Sequence, residues 1–167
     1  MSERPPNKAR QTDLRDRFSS GFLDLVYPVH YKIGIRIEDA MRRKKLTRHQ
    51  VAVLWLIRSE GEAGRMLRRK TIEQRLTGWF GIGNSAVSKV VRSMTVAPTQ
   101  FLRLKESPES GREKLVFLTD EGLAELDEMG EAGKAFIGKM VDLLTEEESR
   151  AGVDFLTRVS EIVDQVD

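Results

Sequence analysis

A mostly helical fold with one small β-hairpin is the class this sequence predicts, and three observations predict it. Apolar residues recur at helical spacing along most of the chain, as in Val51, Leu54, Trp55 and Ile57. Two β-rich runs, residues 101–105 and 114–118, flank the charged, turn-rich stretch "ESPESGRE". Between these features lies "GIGNSAVSKVVRSM", residues 81–94, which is small, hydroxylated and basic on one side.

Composition narrows the function classes. A chain of 167 residues makes one compact domain with extensions for association and can bury roughly 70% of its unfolded surface. It has no cysteine, which excludes disulfides, thiolate metal sites and thiol-based redox sensing and fits a reducing cytoplasm. The two histidines, His30 and His49, stand in different segments, so no zinc or iron site is expected. No apolar run approaches the ~18 residues that span a bilayer, and "MSERPPNKARQ" has no apolar signal core. The expectation is a soluble, intracellular chain with no membrane partner. Its net charge of +2 conceals an asymmetry: residues 1–118 carry +12 and residues 119–167 carry −10. A basic part beside an acidic part suggests that one of them faces a polyanion.

The elements follow in order. Residues 1–11 are polar and basic with adjacent prolines, the composition of a disordered tail. Residues 12–45 read as a helical segment interrupted near Pro28. Val29, Ile33, Ile37, Ala40 and Met41 share one face there, and the cations Arg42 to Lys45 suit a helix C-terminus. Residues 46–118 hold the helices and the hairpin. Thr47 with Gln50, Thr71 with Gln74, and Thr145 with Glu148 each match the Thr-x-x-Gln/Glu capping box that opens a helix. The first of these helices stops near Gly61; the second carries Ile72, Leu76, Trp79 and Phe80 on one side. A short strand is expected at 66–69. Residues 119–167 are two amphipathic helices, the first capped by Thr119. Helix, helix, turn, helix, strand, loop, strand is the order of a winged helix-turn-helix, here framed by N- and C-terminal helices suited to dimerisation.

The third helix, Asn84 to about Thr95, explains the unusual stretch. Val87, Val90, Val91 and Met94 fall at i, i+3, i+4 and i+7 and make an inner apolar stripe. Ser85, Ser88, Lys89 and Arg92 make the outer one. Asn84 is a good N-cap, and Gly81 and Gly83 loosen the turn before it. Such a helix can enter the major groove of double-stranded DNA: the serines donate or accept, Lys89 and Arg92 reach guanine or phosphate, and Ala86 can touch a thymine methyl. Arg68, Arg69 and Lys70, just before Thr71, could neutralise phosphates. Arg112, between Gly111 and the strand that starts at Lys114, sits where a wing tip enters the minor groove.

Together, "LTRHQVAVLWLI", "GIGNSAVSKVVRSM" and "SGREKLVFLTDEGLAEL" resemble the MarR family of bacterial transcription regulators. The resemblance covers nearly the whole chain after Thr12. It implies a homodimer, a palindromic operator, and a cavity near the dimer interface for a small, often aromatic effector. Three departures stand out. Ser110 replaces the aspartate of the family's Asp-x-Arg wing. Pro98 turns the chain where the family has Gly-Leu. "TGWF", residues 77–80, looks like a four-residue insertion. It either lengthens a helix by one turn with its aromatics in the core, or brings Trp79 and Phe80, with Trp55, to a ligand cavity.

Other classes fit less well. Gly81-Ile82-Gly83 lacks the Lys-Ser/Thr of a phosphate loop, and no Ser-His-Asp or His-carboxylate spacing points to an enzyme. No cofactor or metal is implied. The competing reading is an interaction protein that kept the winged fold and lost operator binding. The altered wing favours it, and the basic surface opposes it.

Overall fold

The computed structural model of the chain describes residues 8–108, 110 and 113–166. Helix α1, Lys8–Val29, opens the chain. It begins inside the segment expected to be a tail, the rest of which lies outside the described residues. Pro28 does not break the path. It lacks an amide hydrogen and crowds the preceding turn, and the helix widens into a π-helical segment, His30–Gly34, before α2, Ile35–Arg42. After α2 the basic run turns back on itself with Arg43 and Lys44 in the left-handed region.

Helix α3, Arg48–Glu60, starts with the expected capping box: the Gln50 amide donates to Thr47 Oγ1 at 3.3 Å, and Gln50 Oε1 accepts from the Thr47 amide at 2.9 Å. It stops at Gly61. Strand β1, Met66–Arg68, leads directly into α4, Arg69–Phe80, and then α5, Asn84–Ser93. The hairpin is β2, Leu102–Glu106, and β3, Lys114–Leu118. Strand β3 is central, with β1 and β2 antiparallel on either side; Leu67 and Leu104 both face Val116 in register.

Two long helices complete the chain: α6, Asp120–Val141, and α7, Glu146–Ile162, followed by a short 3-10 turn, Val163–Gln165. Thr119 caps α6, its Oγ1 accepting from the Gly122 amide at 3.0 Å. The Thr145–Glu148 box caps α7 as expected. Gly122 is required at its position, because a Cβ there would collide with the Phe101 carbonyl. This explains the glycine of "LTDEG".

One predicted cap fails. Arg68 is extended and α4 is already helical at Arg69, so Thr71 is the third residue of the helix rather than its cap. The strand runs straight into the helix and leaves no turn for a capping box. Arg69 instead bonds Glu73, one turn on, at 2.9 Å.

The core lies between α3, α4, α5 and the sheet. Leu54, Ile57, Ile72, Leu76, Val87 and Val116 are fully buried there. Among the described residues, no helix is long and apolar enough to cross a membrane.

Candidate nucleic-acid interface

The inner stripe of α5 packs as its spacing predicts. Val87, Val91 and Met94 are buried, and Val90 lies partly buried against the same core. Packing one side of the helix fixes the other outward: Ser85, Lys89 and Arg92 are exposed, and Ala86 and Ser88 half-buried. Lys89 and Arg92 have no ion-pair partner among the described residues. They are free to meet an anion.

The start of α5 differs from expectation. Gly83 is the N-cap, in extended conformation, and its carbonyl accepts from the Ala86 and Val87 amides at 2.9 and 3.2 Å. Asn84 is therefore the first helical residue, not the cap. Its Oδ1 accepts from the Thr77 hydroxyl at 3.4 Å, which ties the end of α4 to the start of α5. Gly81, at φ +62°, makes the left-handed turn between them, a conformation that suits glycine.

Arg69, at the start of α4, braces the same pair of helices at the middle of α5. It donates to Ser88 Oγ at 2.6 Å while pairing with Glu73. Arg68 reaches Glu113 at 3.6 Å, and Lys70 is exposed. An open groove of about 1040 Å³ separates this region from the wing, and Arg69, Lys70, Asn84, Ser110 and Lys114 all line it. The fold thus gathers residues from four separate stretches of sequence around one groove beside α5. Arg112 lies outside the described residues. At the base of the wing, Glu113 donates its amide to the Ser110 carbonyl at 2.9 Å, and Ser107 donates to the Glu113 carbonyl at 2.8 Å.

The other basic run has a different role. Arg43 pairs with Glu125 at 3.1 Å and with Glu128, and Lys45 lies 3.9 and 3.8 Å from the same carboxylates. Acidic α6 neutralises it within the chain.

At the C-terminal end of α4 lies an apolar cavity of about 1180 Å³ among α2, α3, α4 and α6. Trp55, Trp79 and Phe80, the three expected ligand residues, all line it. "TGWF" forms the last turn of α4, and of its two aromatics only Phe80 packs against the core. Trp79 is 54% exposed. That final turn passes the edge of the core, so Trp79 overhangs the cavity. Sequence reasoning missed the charged residues of the lining, Arg48, Arg58, Glu38, Asp127, Glu131 and Lys134. They come from three helices, α2, α3 and α6, and although Asp127, Glu131 and Lys134 share one face of α6, no local pattern links them to Glu38, Arg48 and Arg58. Among the described residues, no group of three or more acidic or histidine side chains could hold a metal ion.

A buried-faced helix with free outward cations, set after a helical turn and beside a three-stranded wing, is the arrangement of a winged helix-turn-helix. In agreement, residues 46–122 match the family described as the winged helix DNA-binding domain. The fold is similar to that of solved MarR-type regulators. Wild-type MarR from E. coli superposes with a TM-score of 0.64 at 18% identity, covering 81% of this chain and 93% of that one. Sco3205, a MarR family transcriptional regulator from Streptomyces coelicolor solved in complex with DNA, gives 0.55 at 18% identity, covering 96% and 91%. BpsR from Bordetella bronchiseptica, whose DNA binding is regulated by 6-hydroxynicotinic acid, gives 0.55 at 22% identity, covering 81% and 98%. No curated protein matches the chain by sequence.

Proposed function

We propose that this chain is a sequence-specific transcription regulator of MarR type that binds double-stranded operator DNA as a homodimer and responds to a small aromatic effector. The observation that carries the reading is the outward edge of α5, where unpaired Lys89 and Arg92 flank Ser85 and Ser88, beside the groove that holds Lys70 and Lys114. Lys89 and Arg92 reach base edges and phosphates in the major groove, and Lys70, Lys114 and Arg112 follow the backbone towards the minor groove. Arg69 and Ser88, bonded to each other, hold α4 and α5 at a fixed angle.

The terminal helices support the dimer. Leu14, Phe18, Phe22 and Leu25 form an exposed stripe on α1, and Leu156, Val159 and Val163 form another on α7 and the turn after it. Phe22 stacks on Phe155 within the chain at 5.6 Å, which joins the two stripes into one surface. A two-fold axis through that surface brings two copies of α5 to successive major grooves, about 34 Å apart.

The effector reading rests on the aromatic cavity and its connection to α5. Trp79 and Phe80 end α4, and only Gly81, Ile82 and Gly83 separate them from the first residue of α5. A ligand that moves these rings shifts the recognition helix.

The test is fluorescence anisotropy with a labelled duplex from just upstream of the protein's own gene. Tight binding that unrelated duplex competes poorly supports the reading. Failure to bind any duplex at low salt would leave the winged helix as a scaffold for protein partners.

A further inference from the structure

The lining of the aromatic cavity carries information about what fits inside it. Three cations and three anions line it, and each cation is already held by an anion of the same lining. Arg48 pairs with Glu38 at 2.8 Å, Arg58 with Asp127 at 3.6 Å, and Lys134 with Glu131 at 2.7 Å. The flat faces of the guanidinium groups are occupied as well. Arg48 lies over Phe80 at 5.0 Å and Arg58 over Trp55 at 5.6 Å. His30 is the one other ionisable side chain of the lining.

An incoming carboxylate or sulfonate would therefore meet no free cation. To gain one it would have to displace Glu38, Asp127 or Glu131 and bring two like charges together. The pairs of Asp127 and Glu131 are largely exposed and weakly held, so the barrier is set chiefly at Arg48 and Glu38. Glu38 is the hardest to displace, because its side chain is only 20% exposed and regains little hydration when it loses its partner. An uncharged ring system faces no such cost. It lies against Trp55, Trp79 and Phe80, and the ion pairs stay intact.

We propose that the cavity takes an uncharged aromatic compound and discriminates against aromatic carboxylates and sulfonates. This deepens the effector reading given above and rests on it.

Two dyes with one skeleton test the proposal: N-phenyl-1-naphthylamine, which is neutral, and its 8-sulfonate. The chain has two tryptophans, Trp55 and Trp79, and both line the cavity, so dye emission excited through tryptophan reports binding there. With the full-length protein the neutral dye is expected to saturate, and the sulfonate to bind at least about tenfold more weakly, a 1.4 kcal/mol difference. Glu38→Gln frees Arg48 and Asp127→Asn frees Arg58. Each should strengthen sulfonate binding several-fold and narrow its gap to the neutral dye.

Equal affinity for both dyes in the native protein would overturn the proposal. So would a sulfonate affinity that neither substitution moves. Operator affinity measured in the same samples separates this proposal from the effector reading. A neutral dye that binds preferentially without changing operator affinity upholds the ligand class and contradicts the regulatory role. Failure of both dyes to bind, with operator binding intact, overturns the ligand class and leaves the DNA-binding function standing.

Discussion

The winged region and the terminal helices handle their apolar side chains in opposite ways. Between Leu46 and Leu118 the large apolar residues are mostly buried. The strongly exposed ones include Trp55 and Trp79 at the cavity and Val96 in the turn after α5. Along α1 and α7 no described side chain is buried, and Phe18, Leu25, Val153 and Leu156 are each more than 60% exposed. A region that satisfies itself can present a rigid polar edge to a ligand. A region that does not must be completed by something else, and two matching stripes on one surface suit a second copy of the chain. The charges divide partly along that line: residues 1–118, α1 included, carry +12, and residues 119–167 carry −10. Acidic helices are poorly placed against phosphates and well placed away from them.

The largest effect expected from breaking this contrast is in the winged core. Ile72 is fully buried between α4 and its neighbours. Ile72→Ala should lower unfolding stability by about 2–5 kcal/mol, read from the denaturant midpoint, while the oligomeric state stays the same. The terminal helices should respond in reverse. Phe18→Asp with Leu156→Asp places charge on the exposed stripes, so the chain should sediment as a monomer at micromolar concentration. Operator affinity should then fall by roughly 100-fold as the second half-site is lost. If the doubly substituted chain remained dimeric, the dimer surface would lie elsewhere.

A smaller effect is expected at the start of α7. The backbone amide of Thr145, and then its hydroxyl, donate to the Glu148 carboxylate and hold its pKa below the usual value. A depressed carboxylate contributes stability that is present above the unfolded pKa and lost as pH falls through the folded one. Acidification should therefore fray the first turn of α7, seen as a lower protection factor for the amide at position 148 once its rate is divided by the intrinsic rate at the same pH. Glu148→Ala should show that lower protection already at neutral pH.

What the sequence made legible follows the range of the forces involved. Local signals held well. Thr47, Thr119 and Thr145 cap their helices, the Val87–Met94 stripe is buried, and the short strand at 66–68 pairs with β3. Each depends on neighbours within about one helical turn or on simple periodicity. The failures lie where tertiary geometry overrides a local motif. Thr71 lost its capping role because β1 feeds α4 without a turn. Asn84 lost its own to Gly83, whose extended backbone sets the helix start. Trp79 follows the periodicity of Ile72 and Leu76, yet its turn runs past the core, so spacing alone could not show that it is exposed. Of the ion pairs of the cavity, only Lys134 with Glu131, three positions apart on α6, follows a local spacing. Arg58 and Asp127 are 69 positions apart, and only the packing of α6 against α3 brings them together.

The measurement that bears most directly on the division of labour is the salt dependence of operator affinity for the native chain beside Lys89→Ala. The native protein should lose affinity steeply as salt rises, linearly on a log–log plot, because bound cations release counterions from the phosphates. Lys89→Ala should weaken binding and flatten the slope by about 1 for each phosphate contact removed. A native affinity insensitive to salt, or a slope that Lys89→Ala leaves unchanged while binding stays tight, would contradict docking through the outward edge of α5.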